Sequence, residues 1–301
     1  MTVASLTAVQ SALLAEWLPG AHLVHDHSWG LVGTTVLQLQ WRGEHYIAKA
    51  GDACDHHIAR ELRAHREWLG PWVRSGRAPH LVHADADAKL LVTVYLPGQL
   101  VQGHPAEYTP DTYRQAGRLL AQLHGQAAVE DNSFEARQQR KVLACLDLPH
   151  AIPATVEERI RRIVAAWPTP SSRCVPTHGD WQPRNWLVDN GVIKVIDLGR
   201  ADLRPASTDL LRLAAQQFSV RPELERAFLD GYGDDPREPA AWQRQLLAEA
   251  VGTAIWAHQV GDELFEQQGH RMIQQALGAA TPRGEGSSCG RSVLFRRSLI
   301  R

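Results

Sequence analysis

The chain has 301 residues, of which 44% are apolar and 22% charged, with a formal net charge of -1. That length and balance suit one large domain or two smaller ones with real cores, and they exclude a disordered chain or a fibre. The near-zero charge argues against a nucleic-acid partner, and no apolar run is long enough to span a bilayer. Met1 to Gln10 lacks the basic-then-apolar layout of a signal peptide, so a cytoplasmic location is expected. Cys54, Cys145, Cys174 and Cys289 form no Cys-x-x-Cys pair and read as reduced thiols. His22, His25, His27, His56 and His57 lack the spacing, and the cysteine or carboxylate company, of a zinc site.

Residues 4–17 are rich in Ala and Leu and predict a helix stopped by Pro19-Gly20. A loop runs from His27 to Gly33. Residues 34–41, β-branched and alternating, predict a strand; Arg42-Gly43 marks a turn, and residues 44–50 a second strand. Residues 58–73 have helical periodicity, with Leu62, Arg66 and Leu69 on one face. Residues 89–96 predict a further strand, ended by Pro97-Gly98. Beyond it the pattern turns helical. Residues 113–127 place Ala116, Leu119, Leu120 and Leu123 inward, and 156–167, 209–218, 223–232 and 240–277 follow, interrupted by β character over 177–198. The layout predicts an α+β chain. A small antiparallel-sheet N-terminal lobe spans residues 1–96, a larger, mainly helical C-terminal lobe spans 97–281, and a Gly-, Ser- and Arg-rich tail, 282–301, is expected to be disordered.

The segment from Thr177 to Gly199 carries the chemistry. Asn190-Gly191 is a strong two-residue hairpin signal, because both residues tolerate positive φ, and apolar runs flank it. With that pair at the tip, Asp189 pairs with Val192, Leu187 faces Lys194 and Asn185 faces Ile196. Asn185 and Asp197 therefore meet at the open end, where opposed residues sit about 5 Å apart. An amide oxygen and a carboxylate at that separation suit a hard cation such as Mg2+, which bridges phosphates and neutralises growing charge. Asp180, on the loop leading in, is placed to accept the proton of an incoming hydroxyl.

His178-Gly179-Asp180 with Asn185, then Ile196-Asp197, resembles the signature of the aminoglycoside phosphotransferase family, small-molecule kinases with a protein-kinase-like two-lobe fold. Asp209-Leu210 also fits that pattern. The resemblance implies ATP or GTP as phosphate donor with Mg2+ held by Asn185 and Asp197. It makes Lys49 the nucleotide-binding lysine, partnered by Glu61, with Glu67 as competitor. It also implies that the loop His27 to Gly33, with Gly30, covers the phosphates, with Ser28 donating to one of them, and that the Val94 carbonyl and Leu96 amide hold adenine. Pro97 has no N–H and is excluded as donor. Arg200 reads either as a contact to phosphate in the transition state or as a surface ion pair.

The acceptor is less constrained. Residues 220–280 hold ten Asp or Glu against five Arg and no Lys, which would attract amines. Asp262, Glu263 and Glu266, on one late helix, are the candidate amine contacts. Trp181 and Trp186, beside the active loop, read as core or as pocket wall, and Trp242 and Trp256 are equally open. The leading expectation is transfer of γ-phosphate to a hydroxyl of a small cationic antibiotic, an aminoglycoside or a cyclic peptide of the capreomycin type, giving resistance. The second is a metabolic kinase for an amino alcohol, a homoserine-like compound or a sugar. Neither implies an obligate protein partner.

Overall fold

The computed structural model describes residues 5–28 and 33–279. The tail from 282 and the Gly30 position lie outside those residues. In chain order the first elements are α1 (Ala8–Trp17), β1 (His22–Asp26), β2 (Thr34–Trp41), β3 (Glu44–Gly51), α2 (His57–Glu67), α3 (Gly70–Arg74), β4 (Leu81–Asp85) and β5 (Leu90–Val94). Then come β6 (Gln99–Leu100), α4 (Pro110–His124), β7 (Val129–Asp131), α5 (Phe134–Cys145), α6 (Ala154–Ala165), β8 (Ser172–Thr177), β9 (Trp186–Asp189) and β10 (Val192–Val195). The last are β11 (Asp202–Arg204), α7 (Leu211–Ala215), α8 (Gln217–Val220), α9 (Pro222–Tyr232), α10 (Pro239–Val260) and α11 (Glu263–Ala279).

β1 to β5 form one antiparallel sheet in the order β1-β2-β3-β5-β4. Period-2 alternation assigns its faces. Leu37, Leu39, Ala48, Ala50, Leu90 and Val92 pack with Leu14 and Leu18 of α1, while Leu91 packs on the other face with Ile58 and Leu62 of α2. Lys49, between Ala48 and Ala50 and paired with Leu91, therefore points to the α2 side. The β2–β3 turn is as the sequence predicts, with Arg42 and Gly43 both at positive φ (51° and 85°).

Helices make most of the remainder. Ala116, Leu119, Leu120 and Leu123 of α4 are all buried, in a core that also holds Trp68, Trp72, Trp181, Trp186, Leu210 and Phe228. A second core joins α5, α6, α10 and α11. The molecule is the predicted α+β chain in the two-lobe, protein-kinase-like arrangement.

Several elements differ from expectation. β1 and β4 pair at the sheet edges without a strong sequence pattern. The predicted helix over 58–73 breaks into α2 and α3, since Pro71 has no N–H to donate to a continuing helix and instead sits in the first turn of a new one, where none is needed. Arg66 is exposed, and the buried face of α2 is Ile58, Glu61, Leu62 and Ala64. The predicted 209–218 helix begins as a 3-10 turn and is then split at Gln216 into α7 and α8. The 240–277 helix is two antiparallel helices, because Gly261 adopts a left-handed conformation (φ 75°) that ends α10.

α4 and α9 approach so closely that glycines are required at the crossing. A Cβ on Gly117 would fall inside the Phe228 carbonyl oxygen, and one on Gly231 inside the Arg114 carbonyl. Gly117→Ala should therefore cost about 2 kcal/mol and lower the melting temperature by about 5 °C, as read by calorimetry. An unchanged melting temperature would show that the helices separate freely.

Candidate active site

The hairpin predicted around Asn190-Gly191 forms in the predicted register. Asp189 pairs with Val192, Leu187 with Lys194 and Trp186 with Val195, and both tip residues have positive φ (50° and 79°). The ladder runs on one step, for Ile196 N–H donates to the Asn185 carbonyl at 3.0 Å. Asn185 itself ends a 3-10 turn, Pro183–Asn185, and is not part of the strand. β6 pairs with β9, and the Val101 amide donates to the Trp186 carbonyl at 2.9 Å, so the chain leaving the N-terminal sheet is sewn onto the hairpin. Lys194 reinforces the seam, donating to the Pro97 carbonyl at 2.9 Å and to Asp189 at 2.8 Å.

At the mouth of this hairpin the two lobes meet. Lys49 Nζ lies 2.8 Å and 3.0 Å from the two Glu61 oxygens and 3.4 Å from Asp197 Oδ1. Glu67, the competitor, instead pairs with Arg63 at 3.0 Å. Burial works against the Lys49 charge, but Glu61 and Asp197 outweigh it and hold the ammonium well above its ordinary pKa. Lys49 pulls the Asp197 carboxyl down to about 2 against its desolvation. Burial pushes the Glu61 carboxyl up, with Lys49 opposing. Asp197 has φ 65°, a left-handed conformation that Asp tolerates better than most residues, and its side chain is 53% open to solvent. Gly199 leaves the room this cluster needs, since a Cβ there would crowd His57 at 3.1 Å and Asp197 Oδ1 at 3.5 Å.

Asp180 is buried and surrounded by donors. Arg184 Nη2 lies 2.6 Å and Asn185 Nδ2 3.0 Å from its Oδ2, Gln182 Nε2 donates to its Oδ1, and Arg212 Nε stands 3.9 Å from Oδ1. Burial raises the Asp180 carboxyl, but the charges of Arg184, Arg212 and Arg200 outweigh it, and its pKa is below the ordinary carboxylate value. Arg200 is exposed and acts here through its charge. The Asn185 amide nitrogen is spent on Asp180, donating to its carbonyl at 2.8 Å and to its Oδ2 at 3.0 Å, so the amide oxygen is not the atom that holds Asp180.

The loop carrying Asp180 is braced from beneath. Asp209, fully buried, accepts from the His178 amide at 2.8 Å, from the Gly179 amide at 2.6 Å and from His124 Nε2 at 3.1 Å. His124 Nδ1 faces Tyr232 Oη at 2.8 Å. The Asp180 amide donates to His178 Nδ1 at 3.3 Å, which leaves His178 Nε2 to donate to the Ile196 carbonyl at 3.1 Å. Trp181 and Trp186 are core residues with no exposed surface, packed on Trp72 and Tyr113, so neither walls a pocket. Trp242 is half-buried under Arg237, while Trp256 is 41% exposed and packs edge-on against Phe265.

Other predicted residues fall at the margins. Ser28 Oγ accepts from the Val36 amide at 3.0 Å, and Ser28 is also tied to Asp26, through its amide at 2.9 Å and through its hydroxyl, which together lower the Asp26 carboxyl; residues 29–32 of the loop are outside the described residues. Val94 ends β5, half-exposed, and Leu96 follows in the irregular segment before β6. Asp262 is not on the late helix. It precedes α11, where its carboxylate accepts from the Phe265 amide at 3.0 Å. Glu263 is exposed in the first turn, and Glu266 is engaged by His258 at 3.0 Å and His270 at 3.6 Å. α11 nevertheless reaches the site through Arg212, which contacts Glu249 at 3.0 Å and lies over the Phe265 ring at 6.0 Å.

Sequence reasoning missed the roles of Arg184, Gln182, Arg212 and His124, and gave Asp209 none. Arg184 had a signal, standing four residues after Asp180 inside the signature. Arg212 and His124 had none, since their partners lie far along the chain. A groove of about 730 Å3 opens elsewhere on the helical lobe, among His124, Ser172, Tyr232, Arg244 and Gln245, and none of Lys49, Asp180 and Asp197 lines it.

Comparison with solved structures gives the same fold at low identity. A thermostable mutant of aminoglycoside phosphotransferase APH(4)-Ia, in ternary complex with ADP and hygromycin B, aligns with TM-score 0.64 and 10% identity over 92% of this chain and 100% of that one. Macrolide 2'-phosphotransferase MphH from Brachybacterium faecium aligns with TM-score 0.56 and 18% identity over 94% and 99%. A choline/ethanolamine kinase family protein from Mesorhizobium loti aligns with TM-score 0.58 and 19% identity over 90% and 91%. No curated protein matches the sequence. The model of the phosphotransferase enzyme family matches residues 56–242, more than half of the chain, and the protein belongs to that family of enzymes.

Proposed function

We propose that the protein transfers the γ-phosphate of ATP to a hydroxyl of a small molecule. The observation that carries this is the convergence of Lys49, Glu61 and Asp197 with Asp180 and Asn185 at the hairpin mouth. Lys49, charged and steadied by Glu61, holds the α- and β-phosphates. Ser28 donates to a phosphate from the glycine-containing loop, and the Val94 carbonyl and Leu96 amide hold the base at the junction of the lobes, near residue 96. ATP is preferred over GTP in this reading because related folds are crystallised with ADP, AMP-PNP or AMP. Asn185 and Asp197 fit Mg2+ by their chemistry: a hard carboxylate kept ionised, and an amide oxygen that the bonds to Asp180, made through the nitrogen, do not use. Bound there, the ion would neutralise charge on the phosphates.

Asp180 receives the acceptor's proton. A carboxylate this well stabilised is a weak base, so its contribution is to aim the hydroxyl at phosphorus and take the proton late, which suits a loose transition state. Arg200 adds positive charge beside the transferring group.

The acceptor docks between the catalytic loop and the α10–α11 hairpin, where Arg212, Phe265 and Trp256 connect the two. The acidic balance of residues 220–280 supports a cationic acceptor, an aminoglycoside or a capreomycin-type peptide, with resistance as the outcome. Asp262, Glu263 and Glu266 are its proposed amine contacts, Glu263 foremost, since the other two carboxylates already have internal partners. That engagement, with three arginines around Asp180, favours a second reading: a metabolic kinase for an amino alcohol, a homoserine-like compound or a sugar. Among the described residues no helix is long and apolar enough to cross a membrane.

A coupled ADP-release assay across aminoglycosides, capreomycin-type peptides, macrolides, choline, homoserine and sugars tests the proposal. Mg2+-dependent turnover with one of the antibiotics supports the first reading, and turnover with a metabolite alone supports the second. Silence across the whole panel would sink both.

A further inference from the structure

Asp180 is heavily occupied for a residue that must receive a proton. Its Oδ1 takes Gln182 Nε2 and faces Arg212 at 3.9 Å, and its Oδ2 takes Arg184 at 2.6 Å and Asn185 at 3.0 Å. A carboxylate oxygen offers two acceptor directions, so Oδ2 is full. A hydroxyl or a water can engage Oδ2 only if a donor leaves; Oδ1 accepts one hydrogen bond, from Gln182, with the Arg212 guanidinium 3.9 Å away.

The donors differ in how freely they can go. Gln182 and Asn185 are 5% and 4% exposed. Asn185 is held further by donating to the Asp180 carbonyl at 2.8 Å, and its backbone by the bond from Ile196 at 3.0 Å. Arg212 is shared with Glu249 at 3.0 Å. The Arg184 side chain is 39% exposed against 4% for Asp180, and moving it takes one charged donor from the buried carboxylate, which keeps its hydrogen bonds from Gln182 and Asn185.

We infer that Arg184 is a guard on Asp180: it closes Oδ2 while the triphosphate is bound alone and is displaced when the acceptor hydroxyl arrives. The inference rests on the reading of Asp180 as the proton acceptor. The reaction suppressed is attack by water. Its oxygen would bond to the γ-phosphorus, the bond from that phosphorus to the nucleoside diphosphate would break, and the water proton would pass to Asp180. With the guard displaced by an alcohol, the same exchange runs with the alcohol oxygen.

The test uses the full chain with Mg2+ and ATP and no acceptor, following phosphate release. Arg184→Ala and Arg184→Gln should each raise acceptor-independent hydrolysis about tenfold in kcat with little change in the KM for ATP. Arg184→Lys keeps a cation without the planar fork, so its rise should be smaller. The double variant Asp180→Asn with Arg184→Ala should lose the rise. Melting temperatures near that of the parent confirm folding, and Arg184→Gln serves if Arg184→Ala fails to fold. Hydrolysis no faster than the parent's in folded Arg184→Ala and Arg184→Gln overturns the guard and leaves Asp180 as base untouched. A rise that survives in the double variant shows instead that Asp180 does not activate the water, and removes the base reading itself.

Discussion

Asp180→Asn should lower kcat for phosphate transfer by about three orders of magnitude while ATP affinity stays within about twofold. The asparagine keeps the size and one acceptor oxygen but turns an NH2 toward a donor, so a melting temperature read beside the kinetics checks that the variant is folded. What is lost is the negative charge that offsets Arg184, Arg212 and Arg200, and the site for the acceptor's proton. Steady-state kinetics on the acceptor found in the screen, with nucleotide affinity by titration calorimetry, separate the two effects. A kcat within tenfold of the parent would remove Asp180 from the chemistry. Because its pKa is depressed, Asp180 is ionised throughout the neutral range. Any acid limb it produces in the pH–rate profile falls below the ordinary carboxylate value of about 3.9.

The second large effect belongs to a residue that touches neither nucleotide nor acceptor. Asp209→Asn should cost about 3 kcal/mol of stability and lower the melting temperature by about 6–12 °C. The carboxylate serves two backbone amides and His124 from within the core, and an asparagine offers one acceptor oxygen and turns an NH2 toward a donor. Burial raises the Asp209 carboxyl, but His124 and the Gly179 amide outweigh it, so the folded-state pKa lies below the unfolded one. Its contribution is therefore present above about pH 3.9 and lost as the pH falls through the lower folded value. The stability gap between parent and variant should narrow in that acid window. A melting temperature within 2 °C of the parent at neutral pH (roughly 1 kcal/mol or less) would mean the brace contributes little.

The parts of this molecule that could be read in advance are those governed by near neighbours in sequence. Asn190-Gly191 demanded positive φ, which fixed the turn, which fixed the register, which brought Asn185 opposite Ile196. The alternation around Lys49 likewise put it opposite the sheet's α1 face. Breaks inside long helical patterns were harder. Leu69-Gly70-Pro71 and Val260-Gly261-Asp262 sit in runs whose apolar spacing continues across them, and local dihedral limits at Pro71 and Gly261 override that spacing. Edge strands such as β1 have five exposed residues and so no buried alternation to read. What could not be read was mutual engagement between distant residues. Nothing near Asp209 announces that it receives amides from positions 178 and 179, and nothing near Glu266 announces that two histidines hold it.

Because the loop at 177–185 is bolted to the core through Asp209 and the buried tryptophans, while the α10–α11 hairpin meets it chiefly through Arg212, the proposed function puts chemistry and recognition in separately mutable parts of the chain. On that proposal, a library confined to the hairpin turn and the first coil of α11, residues 256–270, should vary the molecule admitted while leaving Lys49, Asp180 and Asp197 in place. An engineer seeking a new antibiotic or metabolite target would diversify there and leave the bolted loop alone.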